Sequence, residues 1–170
     1  ADSVVLAGNA YHFIEPKLRG NMFPVNSFIM ATEPLSDEVI SVINPQDLAV
    51  CDPNFVLEYF RLSADKRLLF GGRCNYFGSD PEMIKKHLTP KLHRIYPQLE
   101  EIDIAYAWGG TIGVTINRVP QLGRISPNVF YSQGYSGHGV NVTHLAPSSF
   151  DAIQRQRLVL QLQQTHVHTL

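Results

Sequence analysis

The chain has 170 residues, with 14 Lys+Arg against 15 Asp+Glu and a formal net charge of -1. Hydrophobic residues make up 44%, enough to bury a core, which excludes a disordered chain. The balanced charge excludes a general nucleic-acid binder, which needs a basic excess to displace counterions. No apolar run approaches the ~18 residues of a membrane span. No basic-then-apolar leader opens the chain. The length fits one average domain. Cys51 and Cys74 do not make a disulfide scaffold or a four-ligand zinc site. They read as reduced, buried or semi-buried thiols of a cytoplasmic protein.

In chain order, Ser3 to Gly8 is an apolar run closed by glycine. It reads as a strand buried on both faces, the kind found in parallel sheets. Phe23 to Glu33 predicts a second strand, ended by Pro34. Ser36 is an N-cap for a short helix whose apolar face is Val39, Ile40, Val42 and Ile43. Ala49–Asp52, Asn54–Ser63 and Arg67–Arg73 predict three strands, the last two joined by a hairpin turn at Ala64-Asp65-Lys66. Asp80-Pro81 opens a second helix and Thr89-Pro90 a third. Asp103–Trp108 and Ile112–Ile116 predict antiparallel strands on either side of Gly109-Gly110. Asn128–Ser132 predicts another strand, running into a glycine-rich loop with a helix start near Asn141. From Ser148 onward the spacing of Phe150, Ile153, Leu158 and Leu162 is helical. The fold class is α+β, an antiparallel sheet bracketed by α/β pieces.

Gly134-Tyr135-Ser136-Gly137-His138-Gly139 is the strongest chemical feature. Glycines between a strand and a helix let backbone approach a ligand, and free N–H groups there favour negative charge or an electron-rich ring. A tight structural turn explains the same residues equally well. Trp108-Gly109-Gly110 suggests a ring or flat ligand against bare backbone, or equally a core Trp beside a bulge. Arg61 and Arg73, on neighbouring hairpin strands, suit an anionic substrate group. Ordinary surface charge is the alternative for each, and Tyr59 and Tyr76 are equally open. The seven histidines show no zinc-ligand spacing, so a metal site is not expected. Neither G-x-S-x-G nor G-x-G-x-x-G occurs.

Five segments in order carry a resemblance. They are Ala1 to Ala10, Tyr59-Phe-Arg-Leu-Ser with Arg67 to Arg73, Trp108-Gly-Gly-Thr, Arg118 to Gly123, and Gly134 to Gly139. Together, over about residues 1–146, they resemble the C-terminal half of FAD-dependent amine and amino-acid oxidases of the D-amino-acid oxidase superfamily. The gamma-glutamylputrescine oxidase group is the nearest resemblance. It implies a late strand of an FAD-binding domain over 1–13 and a substrate domain over 14–107, an antiparallel sheet with helices on one side. A return segment to the FAD-binding domain over 108–146 and an atypical helical tail over 147–170 would follow.

The same resemblance implies FAD as cofactor, held by Ala7, Gly8, Trp108, Gly109, Gly110 and the run from Gly134 through Tyr135, Ser136, Gly137, His138 and Gly139 to Val140. The substrate side would be Tyr59, Arg61, Arg73, Tyr76 and Asn141. The implied reaction passes a hydride from the carbon beside an amine to the flavin, with molecular oxygen as final acceptor. No side-chain acid or base is obligatory in it, so no catalytic residue is assigned. Three departures bear on this. The opening strand, G-x-G-x-x-G loop and helix that hold the FAD pyrophosphate are missing, so an FAD-binding half is an expected partner. Pro147-Ser148-Ser149 replaces the expected continuation of the last helix. Asn141 stands where sarcosine-type members carry a carboxylate-holding lysine, which favours an amine such as a gamma-glutamyl polyamine. An inactive orphan chain, or a binding module that needs a partner domain, are the other readings.

Overall fold

The structure, a computed structural model, describes residues 2–11, 15–145 and 148. Its elements in chain order are β1 (Val4–Leu6), β2 (Phe23–Thr32), α1 (Asp37–Ile43), β3 (Val50–Cys51), β4 (Tyr59–Leu62), β5 (Leu68–Asn75), α2 (Pro81–Ile95), β6 (Ile104–Val114), β7 (Gln121–Ser126), β8 (Val129–Gln133) and α3 (Gly139–Val142). They divide into two units, residues 1–24 with 112–170, and residues 25–111. The expected α+β class holds. The predicted tail helix beyond Ser148 lies outside the described residues.

The unit of residues 25–111 is a five-stranded sheet in the order β3-β4-β5-β2-β6. Alternation along each strand sorts its side chains. Phe60 and Leu62 of β4, Leu68 and Phe70 of β5, and Phe28 and Met30 of β2 are buried on one face. Ile84, Leu88 and Leu92 of α2 recur every four residues and cover that face. Val39, Ile40 and Ile43 of α1 pack on the same core. Each fully buried Leu or Ile contributes about 1.5–3 kcal/mol. Glu58 adds a polar tie: its buried carboxylate accepts from Lys91 Nζ at 2.6 Å and Arg94 Nη2 at 3.2 Å. Both helices therefore lie on one side of the sheet, as expected.

Two predicted helices are one. Proline at position 90 sits inside α2 rather than opening a new helix. It removes one i→i−4 bond and crowds the preceding turn, at ~3 kcal/mol. The buried stripe Ile84, Leu88 and Leu92 runs on both sides of it and holds both halves to the sheet.

Two predicted strands are likewise one, β6, with Gly109 and Gly110 in mid-strand rather than in a turn. A Cβ on Gly109 would lie 2.9 Å from Phe28 Cδ1, so the glycine serves close packing on β2. Both cysteines are free and exposed, not buried. Cys51 lies on the edge strand β3 and Cys74 beside the irregularity where β5 passes Ser27.

The β4–β5 hairpin turns at Ala64-Asp65-Lys66, with Lys66 left-handed at φ +64°. Ser63 Oγ donates to Asp65 Oδ1 at 2.6 Å, and Arg67 Nε donates to Asp65 Oδ2 at 2.7 Å. The Ser63 hydroxyl and then the Arg67 guanidinium hold the Asp65 carboxyl below the usual range.

In the other unit, β1 pairs in parallel with β8, and β8 pairs antiparallel with β7, giving the order β1-β8-β7. The parallel strand is as expected, but its burial is not. It is the edge strand, with Val4 40% and Val5 49% exposed. Strand β7, unmarked by any strong alternation, emerges only from its pairing with β8. The buried residues here include Thr115, Ser132, Gln133 and Ser136 beside Leu18 and Phe130. Hydrogen bonds thus take a larger share in this unit. No helix among the described residues is long and apolar enough to cross a membrane.

Two outcomes are expected. Pro90→Ala raises stability by about 1–3 kcal/mol, read as a higher urea midpoint at unchanged slope; a lower midpoint contradicts the account of α2. Because the Asp65 carboxyl is lowered on folding, its contribution is present above the ordinary aspartate range and lost as pH falls through it. Between about pH 5 and about pH 3 the Tm of Asp65→Asn should fall less than that of the natural chain.

Candidate functional site

The run after β8 folds as a tight left-handed turn. Gly134 has φ +70°, Ser136 φ +53° and Gly137 φ +91°. Glycine adopts such angles freely, and at Gly134 a Cβ would also collide with Thr115 Cγ2. Ser136 does not have that freedom; a left-handed L-residue costs about 1–2 kcal/mol. Its surroundings offset the cost. The Ser136 N–H donates to the Gly113 carbonyl at 2.9 Å. Its buried hydroxyl accepts from the Thr115 N–H at 3.3 Å and donates to the Gly134 carbonyl at 3.2 Å. The Gly134 N–H donates to Asn9 Oδ1 at 2.9 Å.

This turn forms one side of a cleft of about 610 Å³, of ligand-pocket size. Val5, Ala7 and Ile112 supply apolar walls, and Gly137 and Gly139 supply bare backbone. Ser132 Oγ and the Tyr135 hydroxyl, also on its lining, share a hydrogen bond. The N–H groups of Gly137, Gly139 and Val140 have no acceptor among the described residues. Apolar walls, missing side chains and spare donors together can take a flat group that carries hydrogen-bond acceptors on its edge.

The unit of residues 25–111 carries a second surface, the sheet face opposite α2. The Tyr59 ring lies over Gly71, where a Cβ would run into it, and its hydroxyl is 3.4 Å from Ser27 Oγ. Arg61 follows two residues on, exposed, with Nε donating to the Leu62 carbonyl at 3.1 Å. Its terminal nitrogens have no acceptor among the described residues. Tyr106 and Trp108 of β6 share this face, since Ala107 and Gly109 between and beyond them meet the core. Arg67 lies 5.2 Å above the Tyr106 ring and is already paired with Asp65 and Glu33. The Asp65 and Glu33 carboxylates hold its guanidinium charged.

The structure brings Ala7, Tyr135, Gly137, Gly139 and Val140 together on one cleft. Gly134 and Ser136 are buried behind it, shaping the turn. His138 is exposed and caps α3, its N–H donating to the Tyr135 carbonyl at 2.9 Å; Asn141 lies on α3. Gly8 accepts from the Tyr11 N–H at 2.9 Å. Trp108, Gly109 and Gly110 belong to the other unit, with Tyr59, Arg61, Arg73 and Tyr76. Arg73 is the extra residue of β5 at the register shift against Ser27 and Phe28. Tyr76 is exposed just beyond the end of β5. Sequence reasoning missed Asn9, Ile112, Thr115 and Ser132. Only Asn9 carried a signal, as an asparagine directly after Gly8, a residue type tolerant of left-handed backbone.

Residues 1–146 match the family described as DAO, FAD dependent oxidoreductase. The chain is 43% identical over 148 residues to gamma-glutamylputrescine oxidoreductase of Escherichia coli (strain K12), covering 86% of this chain and 35% of that protein. It is 43% identical over 151 residues to the probable oxidoreductase OrdL of Haemophilus influenzae, covering 86% and 34%. The chain thus spans about a third of the length of these curated relatives. Among solved structures, L-proline dehydrogenase from P. horikoshii superposes with a TM-score of 0.67 at 22% identity, over 86% of this chain and 40% of that one. Glycine oxidase from Geobacillus kaustophilus does so with a TM-score of 0.67 at 19% identity, over 86% and 39%. These two share the fold. With the family match over residues 1–146, the glycine turn has its setting: the chain is a member of the DAO family of FAD dependent oxidoreductases.

Proposed function

We propose that this chain supplies the substrate-side part of a flavin-dependent oxidoreductase that oxidises the C–N bond of an amine. The observation that carries this is the cleft beside Gly137 and Gly139, where bare backbone and three spare amides meet apolar walls. Bound FAD supplies the two-electron acceptor, with molecular oxygen as the final oxidant. The amides at Gly137, Gly139 and Val140 would donate to a bound ring and favour negative charge on it. Val5, Ala7 and Ile112 would offer it apolar contacts. No G-x-G-x-x-G occurs in the 170 residues, so the pyrophosphate is assigned to a partner FAD-binding segment.

The open sheet face of residues 25–111 takes the substrate in this reading. Tyr59, whose ring lies over Gly71, offers an aromatic surface to an alkyl amine. Arg61 offers free guanidinium donors to an anionic group at the far end, as gamma-glutamylputrescine carries. Trp108 completes the aromatic lining. Arg73, Tyr76 and Asn141 are assigned to the substrate on the family resemblance. A module that binds flavin only together with its partner segment is the second reading, favoured by the coverage of a third of the relatives.

A chimera tests both. Residues 1–146 replace the matching third of the Escherichia coli relative. The purified chimera is expected to hold flavin and to release peroxide with gamma-glutamylputrescine. A folded chimera without flavin absorbance defeats the proposal. In it, Gly137→Val places a branched side chain in the cleft at a left-handed angle, and FAD should bind at least about tenfold more weakly. Arg61→Leu should raise KM about tenfold or more at little change in kcat, since a charged hydrogen bond is worth ~1.5–3 kcal/mol. An unchanged KM removes Arg61 from the substrate site.

A further inference from the structure

We propose that Asn9 is the positioning residue of the glycine turn: its carboxamide oxygen fixes the Gly134 N–H and thereby sets the shape of the cleft. Four observations converge on it. Asn9 has φ +46°, a left-handed angle that costs an L-residue about 1–2 kcal/mol and that asparagine tolerates best. That backbone directs Oδ1 to the Gly134 N–H at 2.9 Å, 125 positions away in the chain. The approach is open because position 113 is glycine: a Cβ there would run into Met22 Sδ and come within 2.7 Å of the same oxygen. Asn9 also lines the cleft itself.

The consequence is a two-point clamp. Asn9 holds the Gly134 N–H and the Gly113 carbonyl holds the Ser136 N–H, with Tyr135 between them. The next amides, at Gly137, Gly139 and Val140, stay free for a ligand. Asn9 therefore acts through Gly134. The link from turn shape to flavin affinity rests on the function proposed above, whereas the clamp does not.

The test compares Asn9→Gly and Asn9→Asp with the natural 170-residue chain. Glycine keeps the left-handed backbone and deletes the acceptor; aspartate keeps an acceptor oxygen. Hydrogen exchange at the Gly134 amide should quicken at least about tenfold in Asn9→Gly and stay within about threefold in Asn9→Asp. Natural exchange in Asn9→Gly overturns the proposal, and so does an Asn9→Asp amide that exchanges as fast as Asn9→Gly. In the flavin-binding chimera, the FAD dissociation constant should rise about tenfold in Asn9→Gly and recover in Asn9→Asp. A natural chimera that binds no flavin defeats the proposed function, while the exchange comparison still decides the role of Asn9.

Discussion

The glycine turn stands because groups far away in sequence hold two of its amides. Left-handed backbone at Ser136 carries a cost that Gly134 and Gly137, also at positive φ, do not. The carboxamide of Asn9, the carbonyl of Gly113 and the N–H of Thr115 compensate it with directed hydrogen bonds. Each of these needs close approach, and Gly113 and Gly134 permit it by lacking side chains. The cleft and its spare donors are consequences of that arrangement. A side chain at Gly113 would meet Met22 Sδ and the Asn9 carboxamide.

The two units are stabilised in different ways. Residues 25–111 bury an apolar cluster of Phe, Met, Leu and Ile between the sheet and α2, with Glu58 as the buried polar tie. Such a core is non-directional and tolerates Pro90 within its covering helix. The other unit buries Thr115, Ser132, Gln133 and Ser136. Hydrogen bonds are directional, so they define a turn geometry more narrowly than apolar packing does. The turn beside the cleft therefore presents its N–H groups at set positions. Tyr59, Tyr106 and Trp108 lie on the sheet face that the apolar core leaves open.

Much of the fold was legible where local signals were strong. Ser36 and Asp80 announced their helices because each can accept from the N3 amide, as Val39 and Met83 show. The β4–β5 hairpin was legible from its turn residues. Two errors share one cause, local punctuation overruled at a distance. Pro90 and Gly109-Gly110 read as breaks, but the α2 stripe and the Phe28 ring carry the chain through. Strand β7 has no strong pattern of its own and exists by pairing with β8.

By itself the sequence determined that this is an α+β chain with a glycine turn between a strand and a helix. Its ordered motifs also determined the resemblance to flavin oxidases, since residue type and order are local and survive without coordinates. Tertiary structure decided which residues meet. That Asn9 reaches Gly134 across 125 positions, that Tyr59 lies over Gly71, and that Arg67 is taken by Asp65 and Glu33 while Arg61 is not, all depend on strand register. Register is a property of pairings between distant segments, and no window of sequence contains both partners.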